Sequence, residues 1–226
     1  MILIKNARVM DPESGFDQVT DILLDGKRIR QIGKVDDVSG IEQVIDASGM
    51  IAAPGLIDVH FHGCMGYDFC DGTKEAIEKI AEYEASQGVT TIVPATMTLS
   101  EEELMKIMAN GGSYENKEGS AVLAGINMEG PFICSKKKGA QAATHIHKPD
   151  VTMFRRLQDA ANGLIRLVDI APEEEGAMEF ISELKDEVHI SFAHTTAAFI
   201  FKILLFDLLL IFSYSWFFAI VSFNCL

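Results

Sequence analysis

The sequence predicts an α/β protein in which a small β unit precedes alternating strands and helices. Three observations carry that expectation. Short β-type runs over 2–10, 19–24 and 28–32, with another near Gln43–Asp46, are separated by turn residues such as Asp25-Gly26. From residue 56, apolar runs alternate with amphipathic helical segments. Most of these runs are apolar throughout, as expected of parallel strands covered on both faces. Five such βα units fit either an open sheet or part of an eight-stranded (β/α)8 barrel.

Each element has a local cause. Leu56–His62 is an apolar run after the Pro54-Gly55 break. Thr73–Gln87 spaces Ala76, Ile77, Ile80 and Ala81 on one helical face, and Gly88 supplies the stop. Val89–Thr96 reads as a strand. Ser100-Glu-Glu-Glu103 is a capping box that opens a helix to about Asn110. Ala121–Met128 is a strand, and Asp150 or Thr152 opens a helix to about Ala161. Leu164–Ile170, Glu173–Lys185 and Val188–Ala193 continue as strand, helix and strand.

Composition excludes some functions. The chain has 226 residues, with 19 Lys plus Arg against 33 Asp plus Glu, a net charge of −14. That balance disfavours nucleic acid as a partner, because phosphate backbones need clustered cations. The four cysteines, Cys64, Cys70, Cys134 and Cys225, form no CxxC pair and no disulfide framework. The apolar run Ile2-Leu3-Ile4 is too short for a signal peptide, so a reduced cytoplasm is the expected compartment.

The first βα turn, His60-Phe-His-Gly-Cys-Met-Gly66, has no GxGxxG and no phosphate-binding loop, which argues against a dinucleotide fold. Polar chemistry instead gathers at strand C-termini: His60 and His62, then Glu129, then His194. In a (β/α)8 barrel that rim holds the active site. Alternate residues of a strand share a face, so His60 and His62 can converge on one divalent cation. Asp58 shares their face, where it either orients a ligand or caps the strand end. Glu129 ends an apolar strand just before Gly130-Pro131, where a carboxylate is costly unless paired or metal-bound. Imidazole and carboxylate without thiolate suit Zn²⁺ or Fe²⁺, one ion or two. Lys136-Lys-Lys138 reads as a solvated loop, or as a patch raising the potential for an anionic substrate. His145 and His147 precede Pro149 in an apparent loop, and His189 starts its strand at the opposite rim.

The residues from Ile45 to His62, Ile-Asp-Ala-Ser-Gly-Met-Ile-Ala-Ala-Pro-Gly-Leu-Ile-Asp-Val-His-Phe-His, resemble the opening of the amidohydrolase superfamily. Three further segments resemble its N-acetylglucosamine-6-phosphate deacetylase family. They are His62-Gly-Cys-Met-Gly-Tyr-Asp-Phe69, Met128-Glu-Gly-Pro-Phe-Ile133 with Lys137-Lys-Gly-Ala-Gln141, and Ala193-His-Thr-Thr-Ala197. The resemblance implies a small β-sandwich joined to a metal-dependent barrel, with about five of eight βα units here. It implies Glu129 and His194 as metal ligands, His60 and His62 as ligands of a further ion, and Ala140 and Gln141 as sugar contacts. The implied reaction hydrolyses the acetamide of an amino-sugar phosphate, and the full-length family is dimeric. The metal would activate water and polarise the carbonyl, while a carboxylic acid protonates the leaving amine. Relatives acting on cyclic amides commonly carry a lysine at a mid-barrel strand end, where this chain has Glu129 and Asp169–Ala171.

The family takes another ligand histidine from the strand after His194 and its acid–base aspartate from the eighth strand. Neither is found here, so no catalytic acid is assigned. Residues 199–226 instead hold seven of the 14 Phe and the only Trp, and 22 of the 28 are apolar. Leu208–Leu226 is long enough for a membrane span, but it lacks flanking cations and a polar exit. The composition points instead to a frameshift or truncation. The expected organisation is therefore a β-sandwich portion over 1–52, an incomplete barrel over 53–198 that is inactive alone, and an unrelated tail over 199–226.

Overall fold

The computed structural model describes residues 1–37 and 39–197. The chain divides into two units between Gly55 and Leu56. The expectations for 199–226, the membrane span included, lie outside the described residues. Among the described residues no helix is long and apolar enough to cross a membrane.

The first unit is a five-stranded sheet. Strands β1 (Ile2–Asp11), β2 (Phe16–Asp25), β3 (Arg28–Ile32) and β4 (Gln43–Asp46) lie in the order β3-β2-β1-β4, and β5 (Ile51–Ala52) pairs with β1. β1 and β2 are antiparallel, whereas β4 and β5 run parallel to β1. The hairpin expected at Asp25-Gly26 turns one residue later. Asp25 still pairs with Arg28, and only Gly26 (φ 56°) takes a left-handed conformation. A bulge interrupts β1 between Ile4 and Ala7. Asn6 sits there at φ 60°, a conformation asparagine tolerates, with its backbone N–H on Asp21 (3.1 Å) and its amide on Asp46 (3.1 Å).

The second unit alternates strands and helices. β6 (Leu56–Asp58) leads into a short hairpin of β7 (Gly63–Cys64) and β8 (Tyr67–Asp68). Then follow α1 (Lys74–Ser86), β9 (Val89–Ile92), α2 (Glu101–Gly112), β10 (Val122–Leu123) and β11 (Ile126–Glu129). α3 (Val151–Ala160), β12 (Ile165–Ile170), α4 (Ala177–Leu184) and β13 (His189–Phe192) complete it. Pairing is parallel throughout the main strands: β6 with β9, β9 with β10, β11 with β12, and β12 with β13. An isolated parallel bridge, Ala95 to Asn127, links the two series. The five expected βα strands therefore pair in sequence order.

Several boundaries depart from the sequence reading, β9 ending at Ile92 rather than Thr96 and β2 starting at Phe16 rather than residue 19 among them, and three more are accompanied by a local steric or hydrogen-bonding feature. Regular pairing of the first strand stops at Asp58, because its carboxylate accepts the His60 backbone N–H (3.1 Å) in a tight turn. The run 121–128 splits at Gly125, where a Cβ would lie 2.5 Å from the Arg166 side chain. The last helix begins at Ala177 rather than Glu173, after Gly176 in a left-handed conformation (φ 89°). The Ser100–Glu103 capping box and the Asp150 N-cap form as the sequence reading expects, and Thr73, read as the first helical residue, is instead the N-cap of α1.

The core of this unit is apolar and aromatic. Phe180 on α4 meets Phe132 and Phe154 edge-on, with ring centroids 5.1 and 5.6 Å apart. Burying a side chain of that size contributes about 1.5–3 kcal/mol.

Candidate metal centre

The site is built where the parallel strands end. Glu129 is the last paired residue of β11 and stands in register with Asp169 of β12, so both carboxylates share one face of the sheet. Gly130 follows at φ 81°, and a Cβ there would lie 2.1 Å from Thr98 Oγ1. Only glycine lets the chain turn away at that point. His194 comes two residues after β13 and holds φ 47°. A left-handed histidine is strained, and such strain concentrates at functional sites. His60 and His62 lie just beyond β6.

Glu129 is the centre of the arrangement, its side chain only 6% exposed. His194 Nε2 approaches Glu129 Oε1 at 2.6 Å. His62 Nε2 and His60 Nε2 approach Oε2 at 3.2 and 3.8 Å. The His60 and His62 rings meet edge-on with centroids 5.6 Å apart. Two imidazoles have their far nitrogen directed at a backbone carbonyl: His194 Nδ1 lies 2.9 Å from Lys137 O, and His62 Nδ1 lies 3.3 Å from Ala95 O. That leaves each Nε2 directed at the carboxylate.

The electrostatics follow. Burial pushes the Glu129 carboxyl up, but the pull of His62, His194 and His60 overcomes it and lowers it to about 2. Contact with Glu129 raises His62 against the opposing effect of burial. Burial lowers His194, and the Glu129 and Lys137 contacts more than reverse it. Burial raises Asp169, although the Ser191 hydroxyl bonds its carboxylate and His60 lies close.

These residues fit a divalent cation. His60, His62 and Glu129 each offer a ligand atom, all within 4.8 Å of one another. Glu129 Oε2 is buried without an aligned hydrogen-bond donor. An orphaned carboxylate oxygen facing imidazole nitrogens is a donor set waiting for a positive charge. A second group, Cys134 with Glu173 and Glu174, is less suited. Burial and a hydrogen bond to Glu174 keep the thiol protonated, while Glu173 is held by Thr195 and Thr196.

Other sequence candidates fall elsewhere. Asp58 caps its own strand end rather than a histidine ring. Ala140 is exposed. Gln141 is buried, with its amide oxygen accepting the Thr98 N–H (2.6 Å), so its side chain braces a loop. Lys136 is exposed, whereas Lys138 Nζ donates to the Gly139 and Gln141 carbonyls at 3.2 and 3.1 Å. His60 brings two residues that the sequence reading did not single out. Its Nδ1 lies 3.0 Å from Asn127 Nδ2 and 3.8 Å from Asp169 Oδ2. Their signal was present as a polar residue inside each apolar strand.

The fold and site thus define an α/β chain with a buried carboxylate–imidazole centre at its strand ends. Relatives sharpen that class. No protein-family model matches the chain. It is 35% identical over 152 residues to N-acetylglucosamine-6-phosphate deacetylase of Bacillus subtilis (strain 168), covering 65% of this chain and 38% of that protein. It is 28% identical over 200 residues to the same-named protein of Lysinibacillus sphaericus, covering 88% of this chain and 51% of that one. A dihydroorotase of Streptococcus pyogenes serotype M3 (strain SSI-1) matches at 50% over 93 residues, 41% of this chain and 21% of that protein. Among solved structures, N-acetylglucosamine-6-phosphate deacetylase from Pasteurella multocida superposes with a TM-score of 0.79 at 23% identity, covering 91% of this chain and 54% of that one. A glutamate-to-glutamine mutant of an atrazine chlorohydrolase of Arthrobacter aurescens, complexed with zinc and atraton, shares the fold more distantly, with a TM-score of 0.50 at 17% identity over 82% of this chain and 51% of that one. The curated and structural neighbours therefore name N-acetylglucosamine-6-phosphate deacetylase, a hydrolase of an amide bond, and the chain spans 38% and 51% of the two curated deacetylases it matches.

Proposed function

We propose that this chain carries the metal-binding part of a deacetylase that hydrolyses the acetamide of N-acetylglucosamine 6-phosphate to glucosamine 6-phosphate and acetate. The five parallel strands are read as part of a (β/α)8 barrel, and the first unit as part of a β-sandwich. Glu129 carries the proposal: one buried carboxylate bridges the Nε2 atoms of His194 on one oxygen and of His62 and His60 on the other. That geometry supports one or two Zn²⁺ or Fe²⁺ ions. When bound, such an ion polarises the acetyl carbonyl and makes water nucleophilic near neutrality.

The chain's own residues do the positioning. Lys137 and Ala95 carbonyls hold two imidazoles with Nε2 bare, and the left-handed turn at His194 aims its ring inward. Ala140 borders the proposed sugar contact from an exposed loop, and Gln141 holds that loop through Thr98. The amine-protonating acid, the phosphate contacts and the dimer partner are assigned to no residue here. The proposed setting is a reduced cytoplasm, in line with free thiols at Cys64, Cys70 and Cys134.

A second reading, hydrolysis of a cyclic amide, is favoured by the dihydroorotase match. Against it, β11 and β12 end in Glu129 and Ile170, and neither end carries a lysine. The test is zinc or iron(II) occupancy of the full chain with acetate release from N-acetylglucosamine 6-phosphate and ring opening of dihydroorotate measured alongside. The expected result is one or two ions per chain, lost in Glu129→Gln, and any turnover confined to the acetamide. Unchanged metal occupancy in Glu129→Gln overturns the ligand assignment, and turnover of dihydroorotate alone selects the second reading.

A further inference from the structure

We infer that Asn127 and Asp169 set the tautomer of His60, offering oxygens to its Nδ1–H so that Nε2 is left bare to hold a cation beside Glu129. The inference rests on the metal reading above and extends it to residues outside the ligand set.

The three imidazoles around Glu129 are not held alike. A backbone carbonyl can only accept, so Lys137 O and Ala95 O require the proton of His194 and His62 on Nδ1. Among the described residues no backbone carbonyl bonds the His60 ring. Its Nδ1 faces Asn127 Nδ2 at 3.0 Å and Asp169 Oδ2 at 3.8 Å. With the amide nitrogen toward the ring, Nδ1 must accept and the proton falls on Nε2. That tautomer points an N–H at Glu129 and blocks ligation.

The same arrangement strands two acceptors. Asn127 Oδ1 and Asp169 Oδ2 are both buried without a hydrogen-bond partner. Asn127 is fully buried and Asp169 is 2% exposed, so water does not readily satisfy either. Asp169 Oδ2, an orphaned acceptor 3.8 Å from the ring nitrogen, calls for a proton on that nitrogen. Turning the Asn127 amide by half a rotation exchanges its oxygen and nitrogen with almost no change of shape. Oδ1 then accepts from Nδ1–H at about the present 3.0 Å separation. The turn gives up a long 3.4 Å contact from Nδ2 to the Val59 carbonyl and carries Nδ2 to the place where Oδ1 has no partner, so it is favoured when a cation on Nε2 fixes the ring proton on Nδ1. Asp169 Oδ2, 3.8 Å from Nδ1, adds a carboxylate behind the same N–H. Carboxylate or amide oxygens behind a ligating histidine commonly set its orientation and basicity.

The test is a double-mutant cycle on the full chain, with Zn²⁺ affinity read by competition against a chromophoric chelator. Asp169→Ala and Asn127→Leu should each weaken zinc binding about 10–100-fold when His60 is present. In a His60→Ala background each should cost less than about threefold, since a positioning residue acts only through its ligand. Asn127→Asp keeps the oxygen, removes the competing donor and should bind zinc at least as tightly as the parent. Long-range ¹H–¹⁵N spectra of the zinc-loaded parent should place the His60 proton on Nδ1. Equal losses in both backgrounds, or a proton on Nε2 in the zinc-loaded chain, overturn the inference and leave the metal reading standing. Zinc binding that is absent, or unchanged in Glu129→Gln, removes the metal reading and this inference with it.

Discussion

In the first unit every residue of β3 and β4 is exposed, whereas every residue of β11 in the second is buried. The first sheet gathers a core cluster of four residues, Ala7, Val9, Ile22 and Ala47. Among its described residues the second unit gathers 25, including Phe69, Phe132, Phe154 and Phe180. Both units are built from strands, so the contrast lies in what covers them. α1, α2, α3 and α4 each bury an apolar stripe in the second unit, and the first unit has no helix among its described residues. The lesson concerns the site. A buried carboxylate such as Glu129 needs rigid walls, and only the unit with helices over parallel strands supplies them.

The largest test of that contrast is a cavity. Phe180→Ala removes a fully buried ring that two other phenylalanines touch, and should cost about 3–5 kcal/mol in chemical denaturation. Ile77→Ala and Ile22→Ala remove the same atoms from the two cores, and should cost about 4–5 and about 2 kcal/mol respectively. Equal losses for this pair would mean that the first unit is packed as tightly as the second.

A smaller effect links the site to stability. At a zinc concentration of 100 times Kd, binding to the folded chain adds about 2.7 kcal/mol, and Glu129→Gln should abolish that gain. The pH dependence has a definite sign. Glu129 falls from 4.5 to about 2, so its contribution is whole above pH 4.5 and fades as pH drops through about 2. His62 and His194 rise from 6.5, so theirs is whole below pH 6.5 and fades as pH climbs through the raised values. Without metal the site therefore stabilises the chain most between pH 4.5 and 6.5. Zinc needs the histidines unprotonated, so the zinc-induced rise in Tm should grow as pH increases above that window. A zinc-induced shift that stays flat from about pH 6 to 8 would remove the histidines from the ligand set.

Much of this organisation was legible in the sequence, for reasons that were local. The Ser100–Glu103 box and the Asp150 cap are set by near neighbours in the chain. The gathering of Glu129 and His194 was legible because parallel strands end on one rim. Three features depended on residues far along the chain and were not legible. Arg166 occupies the space a side chain at Gly125 would need, Thr98 the space one at Gly130 would need, and Asn127 and Asp169 make the His60 environment. A polar residue inside an apolar strand shows in the sequence, but which histidine it faces depends on strand register.

The smallest expected effect tests the exposed sheet. Ile51, in β5 beside Arg8 of β1, is 62% exposed, and Val19, Ile29 and Val44 are similarly open. An exposed isoleucine has little burial to lose, and threonine keeps the β-branched shape that suits a strand. Ile51→Thr should therefore change stability by no more than about 0.5 kcal/mol, with zinc affinity unchanged because the ligands lie in the other unit. A loss above about 2 kcal/mol would mark Ile51 as buried in the molecule in solution, and the contrast between the two units would then fail on the side of the first.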